Sequence, residues 1–272
     1  KDPELKLDEK ITEEDLDQDI LKLYNAYRKP VKFKKEYLLE EFRKDEDLEV
    51  SFLENNKNLE DEFSIGSNNW VISGKKSESG YPILANDPHR TIVAPSLRYL
   101  THLVAPGWNV IGGGEPEIPG ISIGHNGYGA WGLTVFRTDS EDLYIYELNP
   151  ENSKQYFHKG EWVDFNIIKE SIPVKGGEDY EIELYYSIHG PVTLIDENRN
   201  RAYAVRCGWL EVGGSPYLAS LRMNQSNSWE EFREACNYSN IPGENMIWAD
   251  KDGNIGWQAV GIAPIRNTHS GM

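Results

Sequence analysis

The stretch "FSIGSNNWVISG", residues 63–74, places a glycine and a serine directly before a run rich in aromatic and β-branched residues. Such a run favours extended structure, so a β-strand is predicted to begin at or just after Ser67. The preceding Gly66 has no Cβ that would crowd its carbonyl group, and it tolerates strained backbone. The arrangement raises the question of whether the hydroxyl of Ser67 is chemically active.

The composition indicates an acidic globular protein. The 272 residues are 39% hydrophobic and 27% charged, and 45 acidic against 28 basic residues leave a formal net charge of −17. No run of about 18 apolar residues predicts a membrane span. The negative charge disfavours nucleic acid as a partner, because it repels phosphate groups. Cys207 and Cys236 lack C-x-x-C spacing and indicate neither a zinc site nor a disulfide framework.

Two kinds of sequence meet near the quoted stretch. Residues 11–60 combine charge runs with apolar residues at helical spacing, which predicts helices. From about residue 67, short runs rich in Val, Ile, Tyr and Trp alternate with Gly, Pro and Asn-Gly or Asp-Gly pairs, which predicts a large, mostly antiparallel sheet system. Ser228 followed by Glu231 forms a capping box and predicts a helix over 229–238. We therefore expect an α+β fold. The runs predicted as strands are "NWVISG", "GISIGH", "AWGLTVF", "DLYIYEL", "KESIPV", "YEIELYYS", "AYAVRCGW", "NMIWAD" and "NIGWQAVG".

Several common functional motifs are absent from the sequence. It contains no H-E-x-x-H and no P-loop. The glycine run "IGGGEPEIPG" at 111–120 begins like G-x-G-x-x-G but has Glu117 where the third glycine belongs, and we interpret it as a glycine-rich loop. "DKDGN" at 250–254 begins like a calcium loop, but its glycine is misplaced and no glutamate closes it, so it predicts a hairpin turn.

A serine that follows a glycine can be activated in a way that these motifs do not cover. Its hydroxyl can attack the glycine carbonyl, shift the chain to an ester and be released by water as a new N-terminus. The α-amine of Ser67 would then have a pKa of about 8 and would act as the base for its own hydroxyl. Such chemistry also needs a backbone N–H and a side-chain amide that stabilise the tetrahedral oxyanion.

The sequence contains, in this order, "GSNNWVISG", "LANDPHR", "PGISIGHNGYGAWGLT", "IHGPV", "NMIWADKDGNIGW" and "GIAPIR". The ordered set resembles the penicillin acylase family of N-terminal-nucleophile hydrolases, over roughly residues 60–272. The resemblance implies an amidase with a four-layer αββα sandwich of mostly antiparallel sheets, incomplete here. It also implies a precursor that is cut at a Gly-Ser bond, for which Gly66–Ser67 is the match. Residues 1–66 would then be the helical tail of the α chain with the linker before the cut, and 67–272 the N-terminal part of the β chain.

The resemblance also implies roles for single residues. Ser67 matches the nucleophile and new N-terminus, and His89 in "NDPH" matches a residue beside the nucleophile, without a proton-transfer role being implied. Val135 matches the position whose backbone N–H is one oxyanion donor, and Asn245 matches the side-chain amide donor. Arg266 in "APIR" matches a basic residue near the active centre, where its charge would favour the neutral form of the Ser67 amine.

Further implications concern metals, partners and location. Asp139 and Asp142 in "RTDSEDLY" match a structural calcium site of many members, although the glutamate that the α chain adds to that site is not found in this sequence. The chemistry itself requires no cofactor. The implied partners are a small-molecule amide substrate and the remainder of the α and β chains, because the family precursor is much longer and we expect this chain to be an uncut, inactive fragment. The family also implies a periplasmic or secreted location, which no residue here shows.

Non-catalytic interpretations stay open. His125 and His189 are interpreted as structural rather than catalytic histidines. Eight tryptophans and 15 tyrosines on an acidic, sheet-rich scaffold would also suit an aromatic-rich ligand-binding or structural module without catalysis. A structural remnant of a degenerate amidase is a third interpretation. Ser67→Ala separates the amidase from the aromatic-rich binding module, because only an amidase would lose its activity.

Overall fold

Antiparallel strands dominate the protein, as the alternating runs predict. The computed structural model describes residues 11–16, 20–28, 35–37, 39–43, 66–89, 96–214 and 217–266. In these residues the α-helices are α1 (Glu13–Leu16), α2 (Lys22–Arg28), α3 (Ala219–Met223) and α4 (Trp229–Cys236), and short 3-10 helices span Lys35–Tyr37, Glu40–Phe42, Gly74–Lys76 and Gly208–Leu210. The strands are β1 (Ser67–Ile72), β2 (Ile83–Pro88), β3 (Tyr99–Ala105), β4 (Trp108–Gly114), β5 (Ile123–Asn126), β6 (Gly129–Val135), β7 (Glu141–Asn149), β8 (Asn152–His158), β9 (Glu161–Asp164), β10 (Asn166–Ile172), β11 (Tyr180–Ser187), β12 (Gly190–Asp196), β13 (Arg201–Cys207), β14 (Glu244–Asp250) and β15 (Ile255–Val260).

The chain divides into two compact units that do not follow one another in sequence. The first unit contains Lys1–Pro30, Asp139–Glu211 and Ala263–Met272, and the second contains Val31–Thr138 and Val212–Ile262. The chain therefore leaves the second unit after β6, builds the sheet of the first unit, and returns to the second unit before α3. The predicted boundary between residues 66 and 67 concerns processing rather than packing, and it stays a prediction.

The second unit is built on a six-stranded antiparallel sheet in the order β15-β14-β6-β5-β4-β3. Helix α4 covers one face of this sheet. On that face Trp131 stacks on Trp248 with ring centroids 6.4 Å apart, and Phe232 of α4 lies 5.0 Å from Trp248. All three side chains are buried, so they form the centre of the core of this unit.

The opposite face of the same sheet carries the hairpin of β1 and β2, in which Ser67 lies opposite Pro88. The side chain of Asn86 attaches this hairpin to β6. The Leu133 N–H donates to Asn86 Oδ1 at 2.8 Å, and Asn86 Nδ2 donates to the Leu133 carbonyl at 3.0 Å. The adjacent Gly132 makes room for this contact, because a Cβ there would lie 2.6 Å from Asn86 Oδ1. The hairpin is thereby fixed to β6 by one side-chain amide. An amide can do this because it carries both a donor and an acceptor for the backbone of the facing residue.

The glycine run at 111–120 differs from the prediction. Its first part belongs to β4, so the interpretation as a loop is wrong for 111–114. The physical reason is the close approach of β5, since a Cβ on Gly112 would lie 2.1 Å from the Ile123 carbonyl oxygen. The glycines allow the backbones of β4 and β5 to approach closely. In the sequence alone, glycines with this purpose look the same as glycines in a turn.

Two local predictions are confirmed. Ser228 caps α4, because its side chain accepts a hydrogen bond from the Glu231 N–H, although the helix ends at Cys236 rather than at 238. "DKDGN" forms the turn between β14 and β15, where Asp250 Oδ1 accepts hydrogen bonds from the N–H groups of Asp252 and Asn254 at 3.1 and 2.9 Å. In the turn these backbone N–H groups satisfy that oxygen.

The first unit is built on a seven-stranded antiparallel sheet in the order β10-β11-β12-β13-β7-β8-β9. The alternation predicted in "DLYIYEL" is confirmed, because Tyr146 and Leu148 point into the core while Glu147 between them is exposed. The buried side chains of this core come from three strands and the segment that follows β9. They are Tyr146, Leu148, Tyr156, Phe165, Ala202 and Ala204.

Helices α1 and α2 belong to the first unit, where α1 is attached to β13. The buried Asp15 accepts a hydrogen bond from Arg201 Nε at 3.2 Å, and its carbonyl accepts one from the Tyr203 hydroxyl at 3.0 Å. The helical prediction for 11–60 is met by short helices where the structure describes the chain, and residues 44–65 lie outside the described residues. None of the helices in the described ranges is long and apolar enough to cross a membrane.

His189, in the turn before β12, has a structural environment, as the sequence predicts. The Tyr146 hydroxyl and His189 Nδ1 are hydrogen-bonded, and the ring of Tyr144 stacks on the imidazole with centroids 3.8 Å apart. Burial lowers the pKa of His189, and the positive charges of Arg206, His158 and Lys159 lower it further. Burial also raises the pKa of Tyr146 to about 12. At neutral pH the imidazole is therefore an uncharged acceptor and the tyrosine a donor.

This arrangement predicts a loss of stability in weak acid. Because the pKa of His189 is lower in the folded protein than in the unfolded chain, unfolding takes up a proton once the pH falls below about 6.5, and the free energy of unfolding decreases from there down to the folded pKa. We expect His189→Asn, which keeps an acceptor but does not titrate, to reduce this decrease. Urea unfolding at about pH 7.5 and about pH 5.5 measures it, with the exposed His102→Gln as control. Equal pH dependence in wild type and His189→Asn would contradict the prediction.

Candidate active site

Ser67 occupies the first position of β1, with its side chain half-buried and Gly66 before it exposed. Its hydroxyl Oγ donates to the carbonyl oxygen of Gly66 at 2.5 Å. The nucleophile predicted from sequence is therefore in contact with the one carbonyl group that self-cleavage would require it to attack. The contact is local, because the two groups belong to adjacent residues.

His89 lies directly beside this peptide bond. Its backbone N–H donates to the Gly66 carbonyl oxygen at 2.8 Å, so that oxygen accepts two hydrogen bonds. Its ring is turned to Asp87, with Nε2 and Oδ2 2.7 Å apart, and Nδ1 lies 4.0 Å from where a Cβ on Gly66 would be. The His89 N–H withdraws electron density from the carbonyl carbon, and it keeps its position when the Ser67 hydroxyl leaves the oxygen, which favours attack there.

The backbone of Val135 presents its N–H away from β14. Thr134 pairs with Asn245, and the Phe136 N–H donates to the Gly243 carbonyl at 2.9 Å, so the Val135–Glu244 pair between them is the non-hydrogen-bonded kind. In a trans peptide the N–H of Val135 points opposite to the Thr134 carbonyl, which faces β14. The Val135 N–H is therefore not used in the β6–β14 ladder, as an oxyanion donor requires.

The side-chain amide of Asn245 is held from both ends. Its Nδ2 donates to Thr134 Oγ1 at 3.3 Å and to the Val135 carbonyl at 3.2 Å, and its Oδ1 accepts from the Trp257 indole N–H at 3.1 Å. The donor end of the amide thus faces Val135, although Asn245 and Val135 are 110 positions apart in sequence. The structure brings the two predicted oxyanion donors together.

The β1–β2 hairpin, which carries Ser67, is attached beside these two predicted donors. Asn69 Nδ2 donates to the backbone carbonyl of Asn245 at 3.1 Å. Ser67 and Asn69 lie on the same face of β1, about 7 Å apart along the strand, and both are less exposed than Asn68 between them. The side chain of Ser67 therefore faces the strands that carry Val135 and Asn245. Within the second unit, four of the predicted residues lie in one region.

Arg266, the fifth predicted catalytic residue, belongs to the first unit. Its guanidinium donates to both oxygens of Asp142 at 2.9 and 3.2 Å and forms an ion pair with Asp139 at 3.1 Å. The hydrogen bond from Arg266 to Asp142 raises the pKa of the arginine, which is therefore always charged. Its predicted influence on the Ser67 amine stays a prediction.

The same contacts do not fit a calcium ion on Asp139 and Asp142. A divalent cation bound to these carboxylates would lie within a few ångströms of the guanidinium, and like charges at that distance repel. Nor do the described residues contain a group of three or more His, Cys, Asp or Glu side chains arranged around a metal. The calcium site therefore stays a prediction that this arrangement disfavours.

Calcium dependence can be measured directly. We expect the midpoint of thermal unfolding to be equal, within about 1 °C, in millimolar calcium and in EDTA, because Arg266 neutralises the two aspartates. Arg266→Gln should lower the midpoint in EDTA and make it sensitive to calcium, since two carboxylates then face each other without a cation. A clear calcium stabilisation of the wild-type protein would show that the ion displaces the arginine.

Some residues of this region were not singled out by sequence. Asn69 and Asn86 attach the hairpin to β14 and β6, and Thr134 and Trp257 bind the two ends of the Asn245 amide. All four stand in the motifs that carry the family resemblance, namely "GSNN", "LANDPH", "GAWGLT" and "GNIGW". Only their contacts across strands show what they do. The resemblance in "LANDPHR" also implies that Arg90 lies next to the acyl pocket, but Arg90 is outside the described residues.

A family model matches nearly the whole chain. The model of the penicillin amidase family matches residues 4–272 of the chain. The chain belongs to the penicillin amidase family. Members are enzymes, hydrolases that act on amide bonds, and the mostly antiparallel fold of the chain is the N-terminal-nucleophile hydrolase fold.

Individual penicillin amidase relatives support the assignment. The chain is 30% identical over 202 residues to penicillin G acylase of Escherichia coli, and this match covers 74% of the chain and 24% of that protein. It is 26% identical over 218 residues to the acyl-homoserine lactone acylase QuiP of Pseudomonas aeruginosa, and this match covers 76% of the chain and 26% of that protein. A solved structure, the thermostable penicillin G acylase from Alcaligenes faecalis, superposes with a TM-score of 0.65 at 30% identity, covering 71% of the chain and 35% of that one. The chain spans about a quarter of the length of these curated relatives.

Proposed function

We propose that the protein is an amide hydrolase of the penicillin acylase type that activates itself by cleavage between Gly66 and Ser67. The observation that carries the proposal is the position of Ser67 Oγ, 2.5 Å from the Gly66 carbonyl oxygen, on a hairpin attached beside Val135 and Asn245. The family membership supports the class of reaction, and the contacts of these residues support their roles.

The activating step breaks one peptide bond. Ser67 Oγ turns from the carbonyl oxygen to the carbonyl carbon of Gly66 and attacks it, while the negative charge on the oxygen is stabilised by the His89 N–H. The C–N bond breaks, the hydroxyl proton passes to the leaving nitrogen, and Gly66 is left as an ester on Oγ. Water then hydrolyses the ester, which leaves a carboxylate on Gly66 and a free amine and hydroxyl on Ser67.

The hydrolytic cycle uses the new amine. With a pKa of about 8, the neutral α-amine of Ser67 takes the proton of its own hydroxyl, directly or through one water, while Oγ attacks the substrate carbonyl. The Val135 N–H and Asn245 Nδ2 stabilise the oxyanion, for which Asn245 Nδ2 exchanges its bond to the Val135 carbonyl. The proton then passes to the leaving amine, and water releases the acyl group from Oγ.

The substrate is proposed to be a small-molecule amide. The relatives named for penicillin G and for acyl-homoserine lactones differ in their acyl and amine groups, so both classes belong in an assay. Residues beyond this chain are proposed to complete the acyl pocket, since the curated relatives are about four times as long as the part that they share with it.

Ser67→Ala in the whole protein tests the proposal. Wild type should show a new N-terminus "SNNWV" by mass and N-terminal sequencing, and it should hydrolyse a phenylacetyl amide or an acyl-homoserine lactone. Ser67→Ala should do neither, whereas Ser79→Ala, in the connection between β1 and β2, should do both. A wild-type protein that stays whole and hydrolyses neither substrate would reject the proposal and leave the aromatic-rich binding module as the better interpretation.

Two variants of His89 separate its backbone from its ring. His89→Ala keeps the N–H that donates to Gly66 and should still self-cleave, whereas His89→Pro removes that N–H and should slow self-cleavage by about 10²-fold. Protein assembled from separately expressed chains that end at Gly66 and begin at Ser67 bypasses this step. Equal self-cleavage rates in the two variants would show that the backbone donor has no role.

A further inference from the structure

An indole N–H lies at the acceptor end of the Asn245 amide. Trp257 on β15 donates from Nε1 to Asn245 Oδ1 at 3.1 Å. Trp257 pairs with Ile247, two positions from Asn245, so the two side chains are diagonal neighbours on one face of the sheet. The ring itself is 60% exposed, so burial in the core does not explain why a tryptophan is at this position.

The backbone under Trp257 is held from the other face. A Cβ on Gly256 would lie 2.5 Å from the ring of Trp229 on α4, so β15 lies directly against that helix. Because side chains alternate along a strand, the packing of Gly256 on α4 directs Trp257 to the face that carries the β1–β2 hairpin. The indole is thus placed by the fold rather than by its own burial.

The direction of the amide matters because an asparagine side chain has two nearly isosteric orientations. Only one of them turns Nδ2 toward Val135, and the other would put an acceptor there and repel an oxyanion. An indole N–H is a donor only, so it can bind Oδ1 but not Nδ2. The flipped amide would lose the bond to Trp257 and place Oδ1 against the Val135 carbonyl, which also only accepts.

We propose that Trp257 is a positioning residue that keeps the Asn245 amide with its donor end toward Val135 before substrate binds. The inference rests on the proposed function, because it assigns a partner to the oxyanion amide of that same site. Trp257 does not touch the reacting atoms in this proposal. It acts by excluding the inactive orientation of Asn245, so its effect belongs to the chemical step and not to substrate affinity.

The test compares Trp257→Phe, Asn245→Ala and the double variant in the whole protein, processed to expose Ser67. We expect Trp257→Phe to lower kcat about tenfold with KM within about twofold and an unchanged midpoint of thermal unfolding, because it keeps an exposed ring and removes one hydrogen bond. In the Asn245→Ala background the same change should have no further effect on kcat. Trp209→Phe, an exposed tryptophan of the first unit, is the matched control and should equal wild type.

The outcomes distinguish this inference from the function on which it rests. Wild type without activity, or Asn245→Ala with wild-type kcat, rejects the proposed oxyanion site. An impaired Asn245→Ala with a normal Trp257→Phe rejects the role of Trp257 alone, as does an equal effect of Trp257→Phe in both backgrounds. If Trp257→Phe fails to fold, benzothienylalanine at position 257, which has sulfur in place of the N–H, gives the same comparison with the ring shape kept.

Discussion

Asn245→Ala should lower kcat of the processed protein by about 10²- to 10³-fold, because it removes the proposed side-chain oxyanion donor. The fold should persist, since Asn245 is only partly buried and its backbone bonds within β14 do not depend on its side chain. Steady-state kinetics on material with a free Ser67 amine measure the effect apart from self-cleavage. KM should change by much less than kcat, because the oxyanion exists only in the transition state and intermediate.

Asn245→Asp makes this prediction sharper. The carboxylate keeps the shape of the amide and can still accept from Trp257, but it cannot donate and it carries a negative charge beside the developing oxyanion. It should therefore be at least as inactive as alanine. Asn152→Ala, at the start of β8 in the first unit, should leave kcat unchanged. Substantial activity in Asn245→Asp would show that the oxyanion is stabilised by other groups.

Trp248→Ala should destabilise the second unit by about 3–5 kcal/mol. Its ring is fully buried, stacks on Trp131, contacts Phe232 of α4, and fills the space left by Gly129, where a Cβ would lie 2.2 Å from the indole. The variant also loses the bond from the indole N–H to Asp250. Such a loss is a large fraction of the stability of an ordinary domain, so activity should fail through unfolding.

Urea unfolding followed by circular dichroism measures the stability of the Trp248 variant. Trp209→Ala, with its ring 48% exposed in the first unit, is the control and should change the free energy of unfolding by less than about 1 kcal/mol. Since Trp248 lies on the helix-covered face and Trp257 on the opposite one, the two substitutions should differ in kind. Trp248→Ala should change stability, and Trp257→Phe should change kcat. A destabilisation below about 1 kcal/mol by Trp248→Ala would mean that the stacked core relaxes around the gap.

Local signals in the sequence predicted much of the fold. Alternation in "DLYIYEL" gave the direction of the side chains in β7, Ser228 marked the start of α4, and "DKDGN" marked the turn after β14. Each of these features depends on residues within a few positions of one another. The strand in "WNVIGGG" was missed because its glycines serve the close approach of β5, and no residue in the run itself records that contact.

The candidate site was predicted only in part. The resemblance assigned Val135 and Asn245 as donors, but their proximity depends on the register of β6 and β14, between which the chain builds the whole sheet of the first unit. The calcium ligands were assigned in the same way, and that assignment stays a prediction. The structure shows Asp139 and Asp142 in contact with Arg266, which residue types alone do not indicate because the residues are far apart in sequence.

By itself the sequence determined an acidic, strand-rich protein in which a serine follows a glycine at the start of a strand, because composition, period-2 alternation and neighbouring residues are written along the chain. Tertiary structure alone decided that Asn86 attaches the β1–β2 hairpin to β6 and that Trp257 donates to the Asn245 amide. The physical reason is that a side-chain amide or an indole N–H finds its partner through strand register and the choice of sheet face, and both are set by packing of segments far apart in sequence.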